Sequence, residues 1–314
     1  MGVGRGARPP PLARPAPALR TIAPPMDIVA AILSHPIGPE LLLALFGAAI
    51  LAAAIDAIAG GGGLVTLPAM LAAGVPPAAA IATNKLQSSV GTATAAITYL
   101  RSGQIRLRDV GLRMVTVLAG AAAGSVAVQM IDPSALSRIL PVLLVLMALY
   151  FLLSPRVGDI DAEARVPGWV TGFIVAPAIG FYDGFFGPGT GSFFMLALVA
   201  LDGRGMRRAV AETKLLNLTS NLSALIVFAI GGHIDLIIGI TMAAGAMIGA
   251  QVGARLVIAR GTSIVKPLLV CTCLALSLRL GWTEYVATPA PRLAPPSSVA
   301  PPSPPAVTDT AAPR

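Results

Sequence analysis

The feature that most constrains this chain is a series of long apolar segments separated by short loops that carry arginine. Hydrophobic residues make up 55% of the 314 residues and charged residues only 11%, whereas charged residues approach a quarter of a soluble globular protein. A helix satisfies its own backbone hydrogen bonds in lipid and crosses the membrane in about 20 residues. Because strand-like alternation is absent, we predict an all-α, polytopic transmembrane helical bundle. The apolar segments cover about residues 40–59, 60–74, 78–100, 109–130, 138–154, 167–186, 188–201, 208–230, 235–258 and 264–281.

Two of these segments are too short for a full crossing. Residues 60–74 and 188–201 are interrupted by Gly and Pro, which break regular helix. We therefore expect half-length or re-entrant helices at both places. The whole chain is then predicted to have about eight to ten membrane spans.

The two short segments belong to an internal duplication. Aligning the copies pairs Asp56 with Asp183 and then, after a short insertion, Lys85 with Lys214. From there the match is ungapped, with AIATNKLQSSVGTATAAITYLRSGQI over AVAETKLLNLTSNLSALIVFAIGGHI. Each copy therefore places an aspartate, a glycine-rich stretch and a lysine inside apolar sequence.

The basic residues distinguish the two faces of the membrane. One set of alternating loops carries nearly all of them, and the other set carries only Arg138. The basic set is cytoplasmic by the positive-inside rule. Corresponding loops of the two copies fall in opposite sets, which predicts two inverted-topology repeats with an odd number of crossings each, most simply about five. The basic set comprises Arg101, Arg106, Arg108, Arg113, Arg156, Arg165, Arg204, Arg207, Arg208, Arg255, Arg260 and Lys266.

The ends of the chain differ in composition from the apolar region. Residues 1–25 are rich in Pro, Ala and Arg, and Met26 begins a sequence typical of a natural start, so we expect the N-terminus to be over-long. We divide the chain into 1–37, a disordered or mis-assigned extension with a short lead-in; 38–154, the first transmembrane repeat; 155–166, a cytoplasmic linker; 167–285, the second repeat; and 286–314, a disordered Pro-rich tail.

The charges inside apolar sequence have two interpretations. A charge at membrane depth costs about 2.5 to 3.5 kcal/mol on insertion scales and usually faces the bundle interior or an aqueous cavity. In one interpretation, Asp56 with Lys85 and Asp183 with Lys214 form an ion pair inside each repeat. In the other, these residues belong to a substrate site with proton coupling. The glycines likewise either break helices and expose N–H groups to an anion, or simply allow close helix packing.

Polar residues beside each lysine favour the substrate site. Lys85 shares one helical face with Ser88 and Thr92, and Lys214 shares one with Asn217. Two such faces that meet across a pseudo-twofold axis would suit a small anion. We therefore predict proton coupling at Asp56 or Asp183, and substrate binding at Gly60, Gly61, Gly62, Gly63, Thr83, Asn84, Lys85, Gly187, Gly189, Gly191, Thr213, Lys214 and Asn217.

The two motif copies resemble the sulfite exporter TauE/SafE family. The resemblance rests on GGGGLVTLPAMLAAGVPPAAAIATNKLQ behind the first aspartate and on FYDGFFGPGTGSFFMLALVALDGRGMRRAVAETKLLNLTSNLSAL, and it covers about residues 38–283. It implies a multi-span permease of the bacterial inner membrane that transports small sulfur-containing anions such as sulfite or sulfoacetate. The family often has a small residue where Glu212 stands, and we expect Glu212 to lie near Arg204, Arg207 and Arg208.

Two functions of other classes stay open. An intramembrane aspartyl enzyme needs two aspartates that share a proton; Tyr182 and Asp183 resemble half of such a dyad, but the usual second GxGD element is missing. A membrane scaffold would tolerate replacement of both lysines. The sequence has no nucleotide-binding P-loop, and we predict no enzyme activity, cofactor, metal site or nucleic-acid partner. The expected partners are a small anion and the lipid bilayer, while the oligomeric state, the anion and the direction of transport are left open.

Overall fold

The computed structural model describes residues 36–105, 107–132, 134–136, 139, 142 and 163–260. All regular secondary structure in this part of the chain is helical, which confirms the predicted fold class. One stretch, Thr171–Val175, is π-helical. The helices are α1 (Pro39–Ala59), α2 (Gly63–Ala72), α3 (Pro77–Arg101), α4 (Leu107–Gln129), α5 (Gly168–Val170), α6 (Ala176–Phe185), α7 (Thr190–Ala200), α8 (Met206–Ile230) and α9 (Leu236–Arg260).

Four helices are long and apolar enough to cross a membrane: α1, the Asp109–Gln129 part of α4, α8 and α9. Helix α3 is equally long at 25 residues, but buried polar side chains lower its mean hydropathy, among them Asn84 and Gln87. Helices α2 and α7 are apolar and only 10 and 11 residues long, as predicted for half-length elements. The apolar segments 138–154 and 264–281 fall outside the continuously described residues, so the total of about eight to ten spans stays a prediction.

Glycine breaks both short-helix regions as predicted. Helix α1 ends at Gly60, whose φ of 84° lies in the left-handed region that side chains disfavour, and α2 starts three residues later. Helix α6 is followed by Gly187 with a φ of 98° and Gly189 with a φ of 81°, and α7 begins directly after Gly189. Helical structure is therefore interrupted twice inside apolar sequence, and each interruption leaves the end of one helix beside the start of the next.

Other glycines let helices approach closely. A Cβ on Gly249 of α9 would lie 2.8 Å from the carbonyl carbon of Ile50 in α1, and a Cβ on Gly184 of α6 would lie 2.8 Å from that of Ala121 in α4. Small residues drive helix association in membranes because they bring main chains into van der Waals contact. Within the described residues, glycine therefore both interrupts helices and permits close helix packing.

The described part of the chain repeats one order of elements. A broken helix (α1 and α2, or α6 and α7) is followed by a lysine-bearing helix (α3 or α8) and a further long helix (α4 or α9). Each half packs mainly on the other, because α1 lies along α9 and α4 lies along α6, while α3 and α8 contact each other at the centre. The inverted orientation of the two copies stays a prediction, and the predicted extension, linker and tail lie largely outside the described residues.

Candidate functional site

The two helix breaks touch each other. Ser192 in α7 donates its main-chain N–H to the Gly60 oxygen at 3.3 Å and its hydroxyl to the Ala59 oxygen at 2.6 Å. A Cβ on Gly191 would lie 2.6 Å from the Gly60 Cα, so neither position has room for a side chain. The breaks from the two halves of the chain therefore form a single structural unit.

Two ion pairs cross between the halves at this unit. The Lys85 ammonium in α3 lies 2.9 Å from Oδ1 of Asp183 and also donates to the main-chain oxygen of Asp183. The Lys214 ammonium in α8 lies 3.3 Å from Oδ2 of Asp56 and donates to the Asp56 main-chain oxygen. Of the two interpretations of these charges, the one with an ion pair inside each repeat is therefore wrong about the partners, because each lysine takes the aspartate of the opposite half. Each aspartate has a lysine partner, an arrangement that differs from a protease dyad, where two carboxyl groups share one proton.

Each lysine also neutralises a helix end. Asp56 and Asp183 stand in the last turns of α1 and α6, where main-chain carbonyls carry partial negative charge. The Asp56 carbonyl also accepts the Gly60 N–H at 2.8 Å. An ammonium bound to both the carboxylate and the carbonyl offsets the negative charge of both. This double contact explains why a lysine can be retained at full burial in apolar surroundings.

The two pairs differ in their exposure. The side chains of Lys85 and Asp183 are 1% and 2% exposed, and that of Lys214 is 1% exposed, whereas that of Asp56 is 19% exposed. Within the described residues, Oδ2 of Asp183 is buried without a hydrogen-bond partner. The Asp56 pair is therefore the one that water reaches in this conformation.

A small polar cavity lies between the breaks and the two lysine-bearing helices. It encloses about 280 Å³, its mouth included. Helices α2 and α7 begin at this cavity, and the first N–H groups of a helix lack intrahelical acceptors and carry partial positive charge. The lysines stand behind the aspartates and are absent from its wall. The wall consists of Asp56, Gly60, Gly63, Asn84, Ser88, Thr92, Asp183, Gly187, Gly189, Thr190, Gly191, Asn217 and Asn221.

Most of the predicted site residues converge on this cavity, and a few do not. Lys85 and Lys214 contact it only through their aspartates. Thr83 instead accepts the main-chain N–H of Asp235 at 3.0 Å, and the Thr213 hydroxyl is buried without a partner among the described residues. Gly61 and Gly62 shape the turn into α2, where their main-chain oxygens accept the N–H groups of Leu64 and Val65.

Three contributors were missed by sequence reasoning. Thr66 donates to Asn84 at 2.6 Å, Ser192 joins the two breaks, and the Tyr182 hydroxyl donates to the Pro188 oxygen at 2.6 Å and fixes the second turn. Thr66 and Ser192 are isolated hydroxyls in apolar half-helices, which was the signal available in the sequence. Their partners could not be read from it because those partners come from other elements.

A second cluster of charges lies at the end of α8 that the sequence assigns to the cytoplasmic face. Glu212 is buried and accepts from Arg208 Nε at 2.6 Å, and Arg204 Nε lies 3.8 Å from its other oxygen. Arg113 of α4 pairs with Asp202 and lies 3.8 Å from Glu212. The expected closeness of Glu212 to the arginines is thus found for Arg204 and Arg208. Through Arg113, the cluster also connects α4 with α8.

Residues 45–280 match the family model described as sulfite exporter TauE/SafE. The chain is 41% identical over 253 residues to "Probable membrane transporter protein" of Haemophilus influenzae, covering 79% of this chain and 99% of that protein. It is 47% identical over 241 residues to "Probable membrane transporter protein ORF9" of Sinorhizobium sp, covering 77% of this chain and 92% of that protein. It is 42% identical over 249 residues to "Probable membrane transporter protein YfcA" of Escherichia coli strain K12, covering 79% of this chain and 93% of that protein.

No solved structure matches the chain. The family match spans both helix breaks and both lysine-bearing helices, and the relatives are matched over almost their whole length. Together with the apolar helices, these matches identify the chain as a membrane transporter rather than an enzyme, and it belongs to the sulfite exporter TauE/SafE family.

Proposed function

We propose that this protein is a secondary transporter that exports a small anion, sulfite or an organosulfonate, across the bacterial inner membrane by alternating access. The observation that carries the proposal is the cavity at which two half-helices begin. Helix N-termini favour anions because their N–H groups and dipoles point at the ligand, and transporters with broken helices bind substrates in this way. Gly63 and Gly191 place these ends of α2 and α7 in the cavity wall.

The aspartates supply a route for proton coupling. Asp56 and Asp183 face the cavity and neutralise the two lysines behind them. With both carboxyl groups ionised, an anion in the cavity meets two negative charges. Protonation of either aspartate would leave an ammonium uncompensated beside the cavity, so proton binding and anion binding would strengthen each other by linkage.

The contacts between the halves suit alternating access. Both ion pairs and the Ser192 hydrogen bonds cross from one half to the other, so a displacement of one half changes both pairs and the cavity together. The pairs differ in exposure in this conformation, and motion of one half against the other would exchange which aspartate water reaches. Rigid-body rocking around a fixed midplane site is the usual motion of transporters with two related halves.

Flux in proteoliposomes tests the proposal. The purified protein should transport sulfite or sulfoacetate in preference to sulfate and thiosulfate, and the rate should depend on pH. Lys85→Ala and Lys214→Ala should each abolish flux. Arg101→Ala is the control for loss of a basic residue away from the cavity, because Arg101 is exposed at the end of α3, and it should keep the wild-type rate. Wild-type flux in both site variants would reject the site, and absence of flux with every one of these anions would reject the substrate class.

A further inference from the structure

The Asn84 carboxamide has a defined orientation. Its Oδ1 lies 2.6 Å from the Thr66 hydroxyl of α2 and 2.9 Å from Nε2 of Gln87, and all three side chains are buried. A separation of 2.6 Å is normal for O–H···O and shorter than the usual range for N–H···O. The Thr66 hydroxyl therefore donates to the amide oxygen, and the oxygen is the atom turned toward α2.

The orientation matters because a carboxamide is nearly symmetrical in shape. An asparagine offers acceptors on one side and two donors on the other, and only its partners decide which side faces a ligand. Asn84 lines the cavity. With its oxygen occupied by Thr66 and Gln87, its NH₂ group is the part left for the cavity, and that group has no hydrogen-bond partner within the described residues.

The second half offers a comparable group. Asn217 also lines the cavity, and its Oδ1 lies 3.4 Å from the Asn221 amide nitrogen. Its own amide nitrogen lies beside Gly191, 3.3 Å from where a Cβ on that residue would stand. One NH₂ group from each half thus lies at the cavity wall. The amide of Asn217 lies near the break between α6 and α7, and the amide of Asn84 lies near the break between α1 and α2.

We propose that Thr66 and Gln87 are positioning residues that hold Asn84 as a hydrogen-bond donor and thereby set the selectivity of the cavity. Two neutral donors, one from each half, fit an anion with at least two acceptor oxygens, as the SO₃ group of sulfite and of sulfonates provides, and discriminate against a halide. The inference rests on the proposed function, since it assigns the recognition of the same anion to particular groups. Without Thr66, only Gln87 holds the amide oxygen of Asn84, so the amide turns its oxygen toward the cavity more often and repels the oxyanion.

The Thr66→Val variant tests this role with little change in shape. We expect the KM for sulfite in proteoliposomes to rise roughly 2- to 10-fold, the effect of one lost hydrogen bond, with a nearly unchanged maximal rate. Inhibition of sulfite flux by chloride should become stronger relative to wild type. Thr66→Ser should restore wild-type KM because it keeps the hydroxyl. Thr94→Val is the matched control, since the Thr94 hydroxyl on α3 donates to the Val90 oxygen at 2.8 Å and does not line the cavity.

A double-mutant cycle shows whether Thr66 acts through Asn84. Asn84→Ala should raise KM roughly 10- to 100-fold, and Thr66→Val combined with it should add nothing. If Thr66→Val does not fold, Gln87→Leu removes the other donor to Asn84 and should shift KM and chloride inhibition in the same direction. Additive effects in the cycle, or unchanged KM and selectivity in folded Thr66→Val, would overturn the positioning role. A wild-type protein with no anion flux would instead overturn the proposed function, so the two failures are distinguishable.

Discussion

Lys85 pairs with the carboxylate of Asp183 at 2.9 Å and also donates to its main-chain oxygen, although 98 residues separate the two in sequence. One side chain of α3 therefore satisfies both a buried charge and the open end of α6. Removal of the lysine would expose neither group to water, because both lie inside the bundle.

Lys85→Met should accordingly destabilise the protein strongly. Breaking a buried ion pair by removing one partner costs about 3 to 5 kcal/mol, because the other charge stays uncompensated. The double variant Lys85→Met with Asp183→Asn should recover much of this loss. Thermal unfolding of the purified variants in detergent would measure it, and equal destabilisation of the single and double variants would contradict the assignment of the pair.

The two aspartates should react differently with a water-soluble carbodiimide. Asp56 is 19% exposed and Asp183 only 2%, so the reagent should modify Asp56 first. Mass spectrometry of the labelled protein would give the two rates. Asp56→Asn serves as the control and should abolish the fast modification, while faster labelling of Asp183 would show that the wild-type protein favours a different conformation.

Alanine at Gly191 should prevent the two breaks from meeting. The added Cβ would fall 2.6 Å from the Gly60 Cα, a main-chain atom with no freedom to turn aside. We expect a loss of about 1 to 3 kcal/mol or a failure to fold. Gly47→Ala in α1 is the matched control, since nothing lies within 4 Å of its Cβ position, and it should be neutral. The unfolding temperature of Gly191→Ala should be lower than that of Gly47→Ala. Equal unfolding temperatures would show that stability does not depend on the close contact of the two breaks.

Glu212→Gln should loosen the connection between α8 and α4. Glu212 is buried among Arg208, Arg204 and Arg113, so its neutral replacement leaves these arginines without their shared partner and should cost about 1 to 3 kcal/mol. Asp109→Asn is the comparison: Asp109 pairs with Arg208 at 2.9 Å, but both side chains are 35% exposed, and such surface pairs contribute about 0 to 1 kcal/mol. Chemical denaturation in detergent would compare the free energies of unfolding of the two variants. A larger loss of stability for Asp109→Asn would contradict the role of Glu212.

The sequence was sufficient for the helical class and for the position of both breaks, and one of its two interpretations gave each lysine an aspartate partner. Each of these depends on local chemistry: glycines at Gly60 and Gly187 permit a left-handed backbone, and a lysine inside apolar sequence requires an acidic partner. Which of the two aspartates each lysine pairs with is not determined by local sequence. Lys85 and Lys214 are equivalent by alignment and so are Asp56 and Asp183, and only the packing of one half on the other decides between the two possible pairings.

The lysines also illustrate why a predicted binding residue can lie one layer behind a cavity. Their charge suggests direct contact with an anion, but the carboxylates and main-chain oxygens of Asp183 and Asp56 compete for the same ammonium groups and hold them. Asn84 was predicted to bind substrate, and yet its orientation depends on Thr66, which comes from an otherwise apolar half-helix. Contacts of this kind between separate helices leave no periodicity or motif in the sequence.

The crossed pairing has a consequence for the origin of this chain. A single ancestral copy would carry one lysine and one aspartate whose partners belong to another copy, so it could bury both charges only as a dimer. Fusion of two such genes would supply both copies in equal amounts. Each lysine would then still pair with the aspartate of the other half. The two halves produced as separate polypeptides should therefore each be unstable alone and recover the two ion pairs and the cavity only when made together.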